Sequence, residues 1–245
     1  MKERGYSKAQ RNTLKGLVTR LGGRFSQSMG INLSMGDKSE VFKWFLASIL
    51  FGARISETIA INTYREFERM GILSPEAILD TGWNGLVEIL DRGGYVRYDF
   101  KTATKLLNVC RSLMDEYGGD LNVLHSMAED EQDLEERLKA LGKGIGDVTV
   151  NIFLREMRGI WKKAEPLPPE LVIMAAKNTG IIPEEIKDKK EIHRLLMEKW
   201  NSEGMKMKDF PDLEAALLKL GKDFCRRKVC ERCPLKEGCM GKRRS

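Results

Sequence analysis

Apolar residues recur at helical spacing along nearly the whole chain, and no stretch alternates with the two-residue period of a half-buried strand. That pattern excludes sheet-based folds and gives an all-α protein. Glycine and proline set the element ends. Ala9 to Leu21 reads as a first helix, ended by Gly22 and Gly23. A linker then runs to about Gly36. Val41 to Phe51 is apolar almost all round, which marks a central helix, with Asp37 or Ser39 placed to cap it. Glu57 to Met70 stops at Gly71, Ser74-Pro75-Glu76 starts another helix, and Trp83 to Leu90 follows. Tyr98 to Tyr117 ends at Gly118-Gly119, and Glu131 to Leu141 carries acids in its first turn. Further helices are expected over Val148 to Met157, Glu170 to Lys177, Pro183 to Lys187, Lys190 to Trp200 and Leu213 to Phe224.

With 245 residues, of which 42% are hydrophobic, the chain can build one large or two smaller domains. The net charge of +6 favours a polyanionic partner. No apolar run reaches membrane length, and the opening MKERGYSKAQRN lacks the apolar segment of a secretory signal. These features lead us to expect a cytoplasmic monomer, nucleoid-associated if prokaryotic, with no membrane partner and no structural disulfides.

In that setting the cysteines are informative. Four of the five lie in the last part of the chain, Cys225, Cys230, Cys233 and Cys239, spaced C-x4-C-x2-C-x5-C. Thiolates so close in sequence can reach one small inorganic unit, an iron–sulfur cluster or a structural zinc, and spacing alone does not separate the two. Arg226, Arg227 and Lys228 fall inside the first interval, where positive charge stabilises thiolates and can contact phosphate. Cys110 sits on a helix and reads as a core thiol.

A second feature is the segment LKALGKGIGDVTVN, residues 138–151. Gly142, Gly144 and Gly146 join two helices, so backbone N–H groups can approach a ligand closely, and the following helix offers its unpaired amides and positive dipole end. A phosphate suits such a turn. An ordinary helix–helix connection is the alternative reading of the same residues. Asp147 opens the second helix, as a candidate cap, and Lys143 is placed to offset its charge.

The Gly144-Ile145-Gly146 turn with Thr149 after it resembles the helix-hairpin-helix of DNA-repair glycosylases. Phe42 to Ile55 resembles that family's apolar core helix and following turn, and Gly94-Tyr95 its turn before a long lysine-containing helix. The tail Cys230-Glu-Arg-Cys233-Pro-Leu-Lys-Glu-Gly-Cys239 resembles the iron–sulfur loop of endonuclease III and of adenine-specific mismatch glycosylases. The landmarks keep the family's order over about residues 8–239. The resemblance implies two helical lobes flanking a DNA-binding cleft, one over 37–155, the other combining 1–36 and 156–245. It also implies a [4Fe–4S] cluster on Cys225, Cys230, Cys233 and Cys239, with zinc as the alternative, and a double-stranded DNA partner containing a damaged or mismatched base. DNA contacts are then expected from Lys143, Gly144, Ile145, Gly146, Thr149, Arg54, Tyr95, Arg226, Arg227 and Lys228.

The chain departs from the family in specific places. The first cysteine interval has four residues where six are usual. The family lysine position before the motif threonine is Val148, which cannot form a Schiff base. The family aspartate falls on Glu170 when helix starts are aligned, with Glu165 a weaker candidate. The position where relatives carry a gap-filling glutamine is Ala53. Arg54 beside it, and Tyr95 opposite as a wedge, are the remaining side chains for that task. The resemblance therefore implies a monofunctional DNA glycosylase without lysine-dependent lyase activity, Glu170 acting near the sugar. The alternative is a catalytically silent lesion-binding protein on the same scaffold. His125 and His193 read as surface or helix-end residues, and Trp44, Trp83, Trp161 and Trp200 as core or partly core.

Overall fold

The computed structural model describes residues 14–236 and Cys239. The only bridge between extended segments among them is the isolated pair Arg158 and Trp161, so the protein is all-α. The described chain divides into two compact units, 29–166 and a second made of the N-terminal residues through Ser28 with 167 onward.

In the first unit, α3 (Lys38–Phe51) is the centre. (Helices α1, Leu14–Leu21, and α2, Phe25–Ser28, belong to the second unit.) Asp37 caps α3 by accepting from Ser39 N and Glu40 N; the Ser39 hydroxyl, which also donates to it, and these two amides hold its carboxyl below the usual range. From Val41 to Leu50 nearly every side chain is buried, including Trp44, Phe45 and Leu46. Around α3 lie α4 (Glu57–Arg69), α5 (Pro75–Arg92), α6 (Asp99–Tyr117), α7 (Leu121–Met127), α8 (Glu131–Ala140) and α9 (Asp147–Met157). Gly82 interrupts α5 with φ 67°, a left-handed backbone that separates the two helical pieces read from the sequence. Gly118, also left-handed, ends α6.

The second unit packs α1 and α10 (Glu170–Asn178) on α12 (Phe210–Leu220), with α11 (Lys189–Ser202) completing it. Its core joins Leu17, Val172, Leu196, Trp200, Phe210 and Leu217. Gly221 makes the α10–α12 approach feasible, since a Cβ there would lie 2.2 Å from the Leu171 carbonyl oxygen.

Two elements differ from the sequence reading. Pro183 to Lys187 is turn and irregular chain, too short to bury a face of its own. Helix α7 was not expected: Asp120 caps it, and Leu121 and Leu124 anchor it in the core within a seven-residue span too brief for a periodic signal. Of the expected first helix, residues 9–13 lie outside the described residues.

No described helix is long and apolar enough to cross a membrane.

Candidate nucleic-acid interface

The glycine turn joins α8 to α9. Gly142 packs so closely that a Cβ there would lie 2.7 Å from Val109 Cγ2. Gly144 has φ 94°, and Ile145 N–H donates back to the Gly142 carbonyl at 3.1 Å. Leu141 and Ile145 are buried while Lys143, Gly144, Gly146 and Val148 face solvent. The buried pair pins the turn, and the intervening backbone is left outside. Gly146 is the N-cap of α9, no side chain caps that helix, and a Cβ at Gly146 would meet nothing within 4 Å. The first-turn amides therefore face an open approach.

Side chains expected to touch DNA sort into two groups. Ile145, 5% exposed, is an anchor whose backbone alone is presented. Thr149 is also buried, and a Cβ at Gly52 would lie 2.1 Å from its Oγ1, so this hydroxyl locks α9 against the end of α3. Tyr95 is corrected outright. It is 1% exposed, its hydroxyl donates to the Leu50 carbonyl at 2.8 Å, and burial pushes its phenol up. A side chain so enclosed cannot wedge a duplex; Val96, 63% exposed, is the residue of that turn that faces outward. Arg54 and Lys143 are exposed.

The charge of Asp147 is offset, though not by the expected Lys143. Lys139 Nζ pairs with Asp147 at 2.8 Å and with Glu136 at 2.9 Å, and these acids push the Lys139 ammonium up. Asp147 makes no capping bond.

Glu170 is the first residue of α10, its side chain 74% exposed and 2.7 Å from Lys189 Nζ. Glu165 instead pairs with Arg158, a guanidinium only 3% exposed, which also donates to the Pro166 carbonyl at 2.8 Å. Glu165 is thereby a structural partner of a buried cation.

In the tail, a five-residue π turn, Gly221–Cys225, runs on from α12. Lys228 has φ 54°, a left-handed residue without glycine's freedom. Val229 N–H donates to the Phe224 carbonyl and Lys228 N–H to the Cys225 carbonyl, at 3.1 and 3.2 Å, a Schellman closure that turns the chain within the short first interval. Arg226, Arg227 and Lys228 are exposed on this turn. Cys225 and Cys233 pack against the core of their unit. Burial pushes both thiols up, and charge on neighbouring cysteines adds to it: Cys239 and Cys230 act on Cys225, and Cys225, Cys239 and Cys230 on Cys233. The four thiols therefore share one electrostatic neighbourhood. All are free, yet among the described residues no group of three or more His, Cys, Asp or Glu side chains is arranged to hold a metal ion. The donor chemistry suits a thiolate-bound centre.

Cys110 is a core thiol, 1% exposed, raised to about 12 by burial. Trp44, Trp161 and Trp200 are buried as expected, Trp44 donating to the Phe153 carbonyl at 3.1 Å. His125 stacks on Trp161 with centroids 4.7 Å apart, so it is a packing partner more than a surface group. Trp83 is the most exposed of the four tryptophans. It is 40% exposed and lies beside Phe100, 58% exposed, ring centroids 5.2 Å apart. Periodicity gave no signal for this pair, because each sits at a helix start where the pattern has barely begun.

The described residues form an all-α fold with an exposed glycine hairpin and a cysteine tail, and comparison with solved structures gives that fold a particular form. The chain is similar to endonuclease III in a non-covalent complex with DNA, at 17% identity and a TM-score of 0.55, over 98% of this chain and 99% of that one. It is similar also to a trapped endonuclease III–DNA covalent intermediate with an estranged adenine, at 17% identity, TM-score 0.52 and the same coverage. The fold is that of endonuclease III. No protein-family model and no curated protein matches the sequence.

Proposed function

We propose that this protein is a monofunctional DNA glycosylase, hydrolysing the N-glycosidic bond of a damaged base flipped from double-stranded DNA. An alkylated purine is the favoured substrate, because its base leaves readily. The observation that carries the proposal is the exposed Gly144–Gly146 turn ahead of an uncapped helix, on a fold whose solved counterparts are complexes with DNA. Backbone amides there would hold phosphate oxygens of one strand, and exposed Lys143 and Arg54 would add charge.

In the proposed reaction the C1′–N bond breaks with its electron pair leaving on the base, and the sugar acquires oxocarbenium character. The Glu170 carboxylate, exchanging Lys189 for the sugar, stabilises that charge and accepts a proton from the water that attacks C1′. An abasic site remains. Val148, 62% exposed in the first turn of α9, supplies no amine, so strand cleavage through an imine does not follow. Cys225, Cys230, Cys233 and Cys239 would hold a [4Fe–4S] cluster, with zinc the alternative. The bound group would fasten the C-terminal segment and shape the Arg226–Lys228 turn.

Duplexes each carrying one lesion test this reading. Release of free base, without an adduct trapped by borohydride, supports it. Glu170→Gln then lowers release by about a hundredfold or more; undiminished release removes Glu170 from the mechanism. Tight lesion binding with no base released from any duplex supports the second reading, a silent lesion-binding protein. The Glu170–Lys189 pair favours that reading, since a solvated first-turn acid with a lysine partner is an ordinary way to start a helix.

A further inference from the structure

A cavity of about 810 Å³ opens on the 29–166 unit, among the end of α3, the second part of α5, the start of α6 and the glycine turn. Its aromatic wall is Trp83 and Phe100. The indole is held in place: Trp83 Nε1 donates to Thr104 Oγ1 at 3.0 Å, and that hydroxyl donates to the Phe100 carbonyl at 2.9 Å. The left-handed break at Gly82 begins the helical piece that carries Trp83, so the ring stands at a corner and not inside a packed face.

The cations of the cavity are Arg54, Lys101, Lys105 and Lys143, and no Asp or Glu is among its described lining residues. Lys101 and Lys105 lie one turn apart on α6. Lys105 is half-buried, and desolvation alone lowers its ammonium, with no nearby carboxylate opposing that. Its stem reaches the glycine turn, where a Cβ at Gly144 would lie 2.9 Å from Lys105 Cε. None of these four cations is ion-paired among the described residues. A well-oriented aromatic surface ringed by unneutralised cations matches an unpaired nucleotide, whose base has a face to stack and whose phosphates need charge. A free carboxylate ligand would leave the aromatic wall unused, and an apolar one would leave the cations unused.

We propose that this cavity is a binding site for one unpaired nucleotide of single-stranded DNA, its base stacked on Trp83 and Phe100 and its flanking phosphates on Lys101, Lys105, Lys143 and Arg54. The site lies on a different unit from Glu170 and requires no base excision. It goes beyond the glycosylase reading, sharing with it only the edge formed by Arg54, Lys143 and Gly144.

Intrinsic fluorescence provides the test, because Trp44, Trp161 and Trp200 are buried and Trp83 is the exposed indole. An undamaged oligothymidylate of about eight nucleotides is titrated into the full chain. Saturable quenching is expected, and Phe100→Ala should weaken binding, read by anisotropy of a labelled oligonucleotide, by at least about fivefold. Lys101→Ala should reduce the salt slope of that binding by about 0.7. Phe100 and Lys101 are exposed, so both variants should keep the wild-type far-ultraviolet circular dichroism and melting temperature. Absence of quenching, quenching by an undamaged duplex alone, or an affinity unchanged in Phe100→Ala overturns the proposal. Because no lesion is present, such a failure leaves base release from lesion duplexes a separate question.

Discussion

The glycine hairpin and the cysteine tail both present backbone and positive charge, yet they are held in opposite ways. In the hairpin, buried side chains fix the turn: Leu141 and Ile145 point inward, Thr149 seats against Gly52, and the glycine backbone is left facing out. In the tail the backbone does most of the fixing, through the π turn and the Schellman closure at Lys228, while the four cysteines are only partly buried. The first arrangement is secured by the hydrophobic effect. The second gathers thiols whose burial and mutual proximity oppose their ionisation, and a bound metal centre would relieve that opposition. A hairpin of this kind is held by the core it packs on, with no ligand needed; a tail of this kind gains most from what it binds.

The largest effect should therefore come from the tail. If the thiols hold a metal centre, purified protein contains bound iron, or zinc on the alternative. Its removal should lower the stability of the unit containing α10–α12 by about 3 kcal/mol or more, a fall in melting temperature of roughly 6–12 °C. Calorimetry alongside metal analysis reads this. Equal melting curves for loaded and stripped protein would abolish the contrast between the two regions.

Next is the hairpin anchor. Ile145→Ala should cost about 2–4 kcal/mol in denaturant unfolding and, if the turn holds DNA as proposed, affinity for DNA should fall with it although the side chain changed is a buried one. A variant of normal stability would mean that the turn does not depend on its buried side chain.

Val148→Lys tests the same helix end at less cost. Val148 is 62% exposed, so stability should change by no more than about 0.5 kcal/mol. If α9 meets the DNA strand as proposed, the new amine should give a borohydride-trapped adduct with abasic duplex where the wild type gives none.

At Lys228 a gain in stability is expected instead of a loss. Glycine adopts its φ of 54° without the side-chain penalty, so Lys228→Gly should raise stability by up to about 1 kcal/mol and, if this turn meets DNA as proposed, weaken that binding through the lost charge. A fall in stability would show that the lysine side chain contributes more to the turn than its backbone conformation costs.

Much of the fold was legible because its signals are local. The apolar run of α3, the Ser74-Pro75 start of α5, the glycine end of α6 and the onset of α10 at Glu170 all match the sequence reading to within a few residues. The glycine hairpin was legible for the same reason. Helix α7 escaped because seven residues carry too little periodicity, and Pro183 to Lys187 looked helical because composition does not register the absence of a surface to pack on.

The candidate site was legible by region more than by side chain. Tyr95 and Val96 are neighbours in one turn, and sequence alone gave the tyrosine the exposed role that the structure gives to the valine. The sequence places Lys143 nearest to offset Asp147, whereas Lys139, near the end of α8, makes the pair. The aromatic wall of Trp83 and Phe100 joins residues from two helices and has no linear pattern.

By itself the sequence determined an all-α chain, the position of the glycine turn and the clustering of four thiols, because helix period, glycine backbone freedom and short chain separations act over a few residues. Only the tertiary structure decided which side chains of each turn face solvent, which cations lack a carboxylate, and that a tryptophan and a phenylalanine 17 positions apart, Trp83 and Phe100, share one cavity. Exposure and pairing depend on the neighbours brought by distant segments, and those neighbours exist only once the helices have packed.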